Sequence, residues 1–166
     1  MSPTPLSLPM AAAPPFGVLL VDDQQTVRDG LSRLIACTPE SLHCVGTAAT
    51  GAQALSAARA LRPDIVILDV DLNGEDGLSL LPELLIRARV LVLTCHGDGP
   101  TRDRALRLGA GAFLEKHRPA AELLGALLRL GALGRPAGQD KTPPLQGSSS
   151  PLPMAPSSGA QGKRDA

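Results

Sequence analysis

Asp69 and Asp71 stand two residues apart in "IVILDVDLNGEDG", where an apolar run ends in an acid. A second acidic pair, Asp22-Asp23, ends another apolar run, "FGVLLVDD". Thr94 and Lys116 lie at the ends of two more, "RVLVLTC" and "GAFLEK". An aspartate can attack phosphorus and form an acyl phosphate. Transfer then depends on charge stabilisation at the transferring oxygens, which a metal, a lysine point charge and a hydroxyl donor supply. Three carboxylates within a few ångströms of each other repel by roughly 1–4 kcal/mol per pair at a solvated edge. A hard divalent cation relieves that repulsion. Magnesium suits such a set, because it binds one or two carboxylates, keeps several waters and completes its shell with phosphate oxygen. Taken alone, the string around Asp69 fits both a phosphatase and a phosphorylation switch.

The elements that must position these residues follow from periodicity. Between residues 17 and 134, short apolar strands alternate with helical segments. "TVRDGLSRLIA" places Val27, Leu31, Leu34 and Ile35 on one helical face. "LHCVGTAA" reads as a weaker strand. "GAQALSAARALRP" reads as a helix ended before Pro63, and "GLSLLPELLI" as a short helix with Pro82 inside it. "TRDRALRLGA" is a helix closed by glycine, and "RPAAELLGALLRLGALG" a last helix with Pro119 near its start. Continuous Val/Ile/Leu strands imply burial on both faces. Five βα units with short loops imply a parallel sheet covered by helices. In such a sheet every strand C-terminus lies on one edge, where ligands bind. That edge would gather Asp22, Asp23, Asp69, Thr94 and Lys116.

In this order and on five βα units, these residues resemble the receiver domain of bacterial two-component response regulators. The resemblance runs through "VDDQQTVRDGLSRLI", "LRPDIVILDVDLNGEDGLSLL" and "GAGAFLEK". Those strings are most similar to receivers that carry a LuxR-type helix-turn-helix. The resemblance implies a doubly wound, flavodoxin-like α/β fold, with a five-stranded parallel sheet of order 2-1-3-4-5 and helices on both faces. It implies that Asp69 is the phosphoacceptor. Asp23 and Asp69 would ligate Mg²⁺ directly with the main-chain carbonyl of Asp71, and Asp22 would act close by or through water. Thr94 and Lys116 would hold the phosphoryl oxygens, and Thr94 and Phe113 would form the switch. Asp71 and His96, two beyond Asp69 and two beyond Thr94, would flank the phosphoryl group and set its lifetime. A sensor histidine kinase would be the donor. The added charge would draw Thr94 inward and repack Phe113 with the face formed by the last two helices and the last strand.

The sequence departs from that pattern in three places. Asn73 stands where the family usually has proline, and the interval of 25 residues from Asp69 to Thr94 is short. The third helix is therefore expected to be clipped to roughly two to three turns, with Pro82 tolerable only in its first turn. His117 follows Lys116 where many receivers have a proline preceded by a cis bond. Before a non-proline residue, that bond would cost about 3–4 kcal/mol.

A rival reading is a haloacid-dehalogenase-like phosphatase, which opens on an apolar strand and Asp-x-Asp as in "ILDVDLN". That family places an acidic metal pair after its lysine, and no acidic pair follows Lys116. Its substrate cap has no counterpart in the short loops here. The expectation is therefore a signalling phosphoacceptor that catalyses only its own phosphorylation and dephosphorylation.

Bulk properties narrow the partners. The chain of 166 residues carries 16 basic and 16 acidic side chains, so net charge gives no argument for nucleic acid or anionic membrane. Residues 1–16, with five prolines in the first fifteen, read as a disordered leader. Residues 135–166, nearly half Pro, Gly and Ser, read as a disordered tail, leaving 17–134 as the receiver. Nothing after Gly134 has the periodicity of a recognition helix, so direct DNA binding is not expected from this chain. The expected output partner is a downstream protein or, for a truncated transcription regulator, a paralogous one. Cytoplasmic placement is expected, with no membrane association. The three cysteines, Cys37, Cys44 and Cys95, are expected as small buried residues in a reducing compartment.

Overall fold

The computed structural model describes residues 13–136. The expected leader and tail lie outside these residues, apart from positions 13–16 and 135–136. Strand β1 (Phe16–Val21) is buried along its whole length. It is flanked by β2 (Leu42–Ala48) and β3 (Ile65–Leu68), and both pairings are parallel. A two-stranded antiparallel hairpin follows, β4 (Asp71–Leu72) and β5 (Glu75–Asp76). Strands β6 (Arg89–Thr94) and β7 (Ala112–Glu115) complete a five-stranded parallel sheet of order β2-β1-β3-β6-β7. With the hairpin set aside, this is the order that the family resemblance implied.

Helices α1 (Gln25–Ala36), α2 (Gly51–Leu61), α3 (Leu81–Leu84), α4 (Gly99–Arg107) and α5 (Ala120–Ala132) cover both faces. Alternate strand residues sort into two cores, as the period of two requires. Leu19, Val21, Val66, Leu68, Val90 and Val92 pack with Ala54 and Ala58 of α2, Leu81 and Leu84 of α3, and Ala105 of α4. Val18, Leu20, Ile65, Ile67, Leu91 and Leu93 pack with Ile35 of α1 and Leu123, Ala126, Leu127 and Leu130 of α5. The strands are apolar throughout because each residue is covered on one side or the other.

Two local expectations are corrected and one holds. The third helix is clipped as expected: a 3-10 turn (Gly77–Leu80) runs into the single α-turn of α3 (Leu81–Leu84). Pro82 falls in the first turn of α3, where its missing N–H costs nothing. Helix α4 begins two residues early, because the Asp98 carboxylate caps it by accepting the Thr101 N–H at 2.7 Å and Pro100 fits its first turn. The cysteines are not a buried set: Cys37 and Cys95 are exposed, at a helix end and past a strand end, and Cys44 is half-buried on the edge strand. The Lys116–His117 bond is trans; among the described residues the only cis bond is Pro14–Pro15. No described helix is long and apolar enough to cross a membrane.

Candidate functional site

The C-terminal ends of β1, β3, β6 and β7 bring together residues from four distant parts of the chain. Asp22 and Asp23 follow β1, Asp69 follows β3, Thr94 ends β6 and Lys116 follows β7. Oxygens of Asp22, Asp23 and Asp69 all lie within 4.8 Å of one another, the one such acidic group among the described residues. Asp22 and Asp69 are buried, whereas Asp23 is half-buried. The Asp69 backbone N–H donates to the Val21 carbonyl at 2.9 Å, which locks the two strand ends together.

Lys116 supplies the countercharge. Its Nζ donates to Asp22 Oδ2 at 2.5 Å and to Asp69 Oδ2 at 3.0 Å. Its own backbone N–H donates to the Thr94 carbonyl at 2.7 Å, so the β6–β7 ladder sets its position. Burial raises the Asp69 carboxyl above the ordinary carboxylate range, with the Asp22 charge adding to the effect, and Lys116 pulls it only part of the way back. Burial alone would lower the Lys116 ammonium, but hydrogen bonds to Asp22 and Asp69 outweigh it and hold its pKa above the usual lysine value.

Asp22 is held by more than the lysine. Its Oδ1 accepts the Gln24 N–H at 2.9 Å, and Arg28 Nη1 donates to its carbonyl at 2.6 Å. With all three acids ionised, one ammonium leaves two negative charges in the cluster. The donors are all oxygen, and Asp23 and Asp69 Oδ1 are not engaged by the lysine. That donor set fits a hard divalent cation.

The remaining sequence candidates sit around this core. Asp71 is exposed in the hairpin; its N–H donates to Asp69 Oδ1 at 3.4 Å, while its carboxylate accepts the Gly74 N–H at 2.8 Å. Its side chain therefore serves the turn and is not among the three clustered acids. Thr94 is buried, and its Oγ1 accepts the His96 N–H at 3.3 Å and lies 3.5 Å from the His96 carbonyl. The hydroxyl is thus held by the loop that follows. His96 is exposed and meets Thr94 through its backbone. Phe113 is half-buried against the α2–α4 core and opens onto a surface cavity of about 130 Å³ beside Arg102 and Arg118.

Asn73 was noted in the sequence only as a departure from proline, and Gly74, Gly77 and Arg28 were not singled out. Asn73 and Gly74 both take positive φ, +56° and +88°, and close the hairpin as a type I′ turn requires. "NG" was a readable hairpin signal. A proline, fixed near −65°, could not occupy position 73 in this turn. Gly77 packs against Asp69 so closely that a Cβ there would lie 2.0 Å from the Asp69 carbonyl oxygen. Arg28, one turn into α1, had no sequence signal.

Similar proteins carry the same frame. A family described as "Response regulator receiver domain" matches residues 18–128. The response regulator GacA of Pseudomonas viridiflava is 35% identical over 113 residues, 66% of this chain and 52% of that protein. The chain spans about half the length of several curated relatives it matches. A crystal structure of a LuxR-family two-component response regulator from Aurantimonas sp. SI85-9A1 superposes with a TM-score of 0.67 at 32% identity, over 72% of this chain and 87% of that one. A CheX–CheY–BeF3–Mg complex from Borrelia burgdorferi matches with a TM-score of 0.63 at 27% identity, over 70% of this chain and 89% of that one. With more than half of its length matched by the family, on a sheet of the same order, this chain belongs to the response regulator receiver domains.

Proposed function

We propose that the protein is the phosphoacceptor of a two-component relay, and that Asp69 takes the phosphoryl group from the phosphohistidine of a sensor kinase. The observation that carries this reading is Asp69 at a buried strand end, with two further carboxylates and a lysine converging on it. An Asp69 oxygen attacks phosphorus, the P–N bond of the donor breaks, and an acyl phosphate forms. A Mg²⁺ ion held by the Asp23 and Asp69 carboxylates and the Asp71 carbonyl would add positive charge where the phosphoryl oxygens gather; the Borrelia burgdorferi complex contains the same metal. Asp22, already engaged by Gln24 and Lys116, suits a supporting place behind that metal.

Lys116 pairs with a phosphoryl oxygen in place of part of its present bond to Asp69. Thr94 gives up its contacts to His96 and turns its hydroxyl to the phosphoryl group, and Phe113 repacks behind it with α4, β7 and α5. His96 and Asp71 border the group and set how long it survives. The added charge, about −1.5 to −2, shifts the population between two arrangements of that face. The partners are a kinase and a downstream protein or a paralogous regulator, in the cytoplasm where both would meet it.

Labelled acetyl phosphate with Mg²⁺ tests the reading. Wild type should take up close to one phosphoryl group per chain, and Asp69→Asn or excess EDTA should abolish uptake. Labelling of Asp69→Asn equal to wild type would end it. Sustained turnover of p-nitrophenyl phosphate would favour the phosphatase.

A further inference from the structure

The hairpin that follows Asp69 carries two acids that reach in opposite directions. Glu75 Oε2 accepts the N–H of Gly51, the first residue of α2, at 3.3 Å. Asp76 Oδ2 accepts Nη2 of Arg104, on α4, at 2.6 Å. Asp76 is itself fixed by its own loop: Oδ1 accepts the Leu78 N–H at 3.1 Å, and its carbonyl accepts the Ser79 hydroxyl at 2.6 Å. The path from Asp69 to Asp76 has no slack. The Gly77 N–H donates to the Val70 carbonyl at 2.7 Å, and Gly77 leaves no room for a Cβ against the Asp69 carbonyl. A shift of the Asp69 backbone must therefore move Asp76.

At the other end, α4 is lightly anchored. Ala105 is its only buried residue, and Leu106 is 44% exposed. An element with so little buried apolar surface is the kind that moves as a unit. An exposed ion pair is weak by itself, yet a helix balanced between two arrangements responds to a small bias.

We propose that the Asp76–Arg104 pair is the tether by which the loop bearing the phosphoacceptor governs helix α4, holding α4 in the arrangement seen here until Asp69 is modified. The proposal rests on the reading of Asp69 as phosphoacceptor and adds the route by which its state reaches α4. By linkage, whatever frees α4 also eases binding of a phosphoryl mimic at Asp69.

The test is a double-mutant cycle of Arg104→Gln, Asp76→Asn and the double variant, read in two ways. The first is amide hydrogen exchange of residues 99–107 without metal or mimic. The second is affinity for beryllofluoride with Mg²⁺. Arg104→Gln should speed α4 exchange and tighten beryllofluoride binding by about two- to five-fold, the range an exposed pair supports. Asp76→Asn, whose amide oxygen still serves Leu78, should match it, and the double variant should add nothing. Unchanged exchange in Arg104→Gln, unchanged or weakened beryllofluoride binding, or single effects that simply add would each overturn the tether. If wild type fails to bind beryllofluoride, the Asp69 reading fails, and the metal-free exchange still decides whether the pair holds α4.

Discussion

Lys116 donates to two carboxylates at once, and removing it leaves Asp22 and Asp69 facing each other in a buried setting. Breaking one side of such a buried pairing costs about 3–5 kcal/mol. Lys116→Ala is expected to lose stability on that scale in EDTA, and to recover part of it with millimolar Mg²⁺, read by urea denaturation. Asp69 carries the opposite burden. Its pKa is raised by burial, so the folded state holds its proton more tightly than the unfolded chain does. The stability this gives is fully present below the unfolded pKa and is lost as pH rises through the raised folded value. Asp69→Asn lacks that loss. In EDTA the variant is expected to become increasingly more stable than wild type from about pH 4 upward, levelling off above the folded pKa. The acids, the threonine and the lysine were legible because each ends an apolar run, which places them on one edge. The Asp71 carboxylate was not legible in this sense, because its position depends on a turn that reverses the chain just after it.

At the scale of elements, the segment from Asp69 to Leu84 departs most from periodicity. Residues 77–86 were readable as one clipped helix, because Leu78, Leu80, Leu81 and Leu84 are all buried and mimic a helical face. The hairpin before it escaped because two strands of two residues carry no alternation to detect. Only Asn73-Gly74 announced it. Gly77→Ala is expected to cost about 1–3 kcal/mol or more, since the new Cβ meets the backbone carbonyl of Asp69 rather than a side chain that can turn away. The same variant should impair phosphorylation beyond its effect on stability, because that carbonyl belongs to the proposed acceptor residue. By contrast, α1, α2 and α5 lie within about one to two residues of their sequence-based limits at most ends; Pro63 punctuates α2, and Pro119 and Gly134 punctuate α5.

For the whole molecule, the parallel sheet follows from five apolar strands and short crossovers and its order from the family resemblance, whereas the end of the folded unit follows from neither. Arg135 was assigned to the tail by composition. In the structure its Nε lies 3.2 Å from Asp64 Oδ1, it also donates to the Arg62 carbonyl, and Arg89 Nε donates to the Gly134 carbonyl at 3.0 Å. Asp64 is buried and accepts the Gly17 N–H at 2.8 Å, so this clasp ties the chain after α5 to the starts of β1 and β3. No local pattern marks a contact across 71 residues. We propose that the receiver unit extends through Arg135. Arg135→Ala is expected to cost about 1–3 kcal/mol by removing a charge-assisted hydrogen bond to a buried carboxylate, seen as a lowered thermal midpoint.

Borohydride trapping reads directly which carboxylate takes the phosphoryl group. Protein phosphorylated with acetyl phosphate and Mg²⁺ is treated with sodium borohydride, which reduces an aspartyl phosphate to homoserine, and peptides are sequenced by mass spectrometry. Homoserine is expected at position 69 alone, absent without acetyl phosphate. Homoserine at position 22, 23 or 71, or at no position in a protein that has taken up phosphate, would contradict Asp69 as the acceptor.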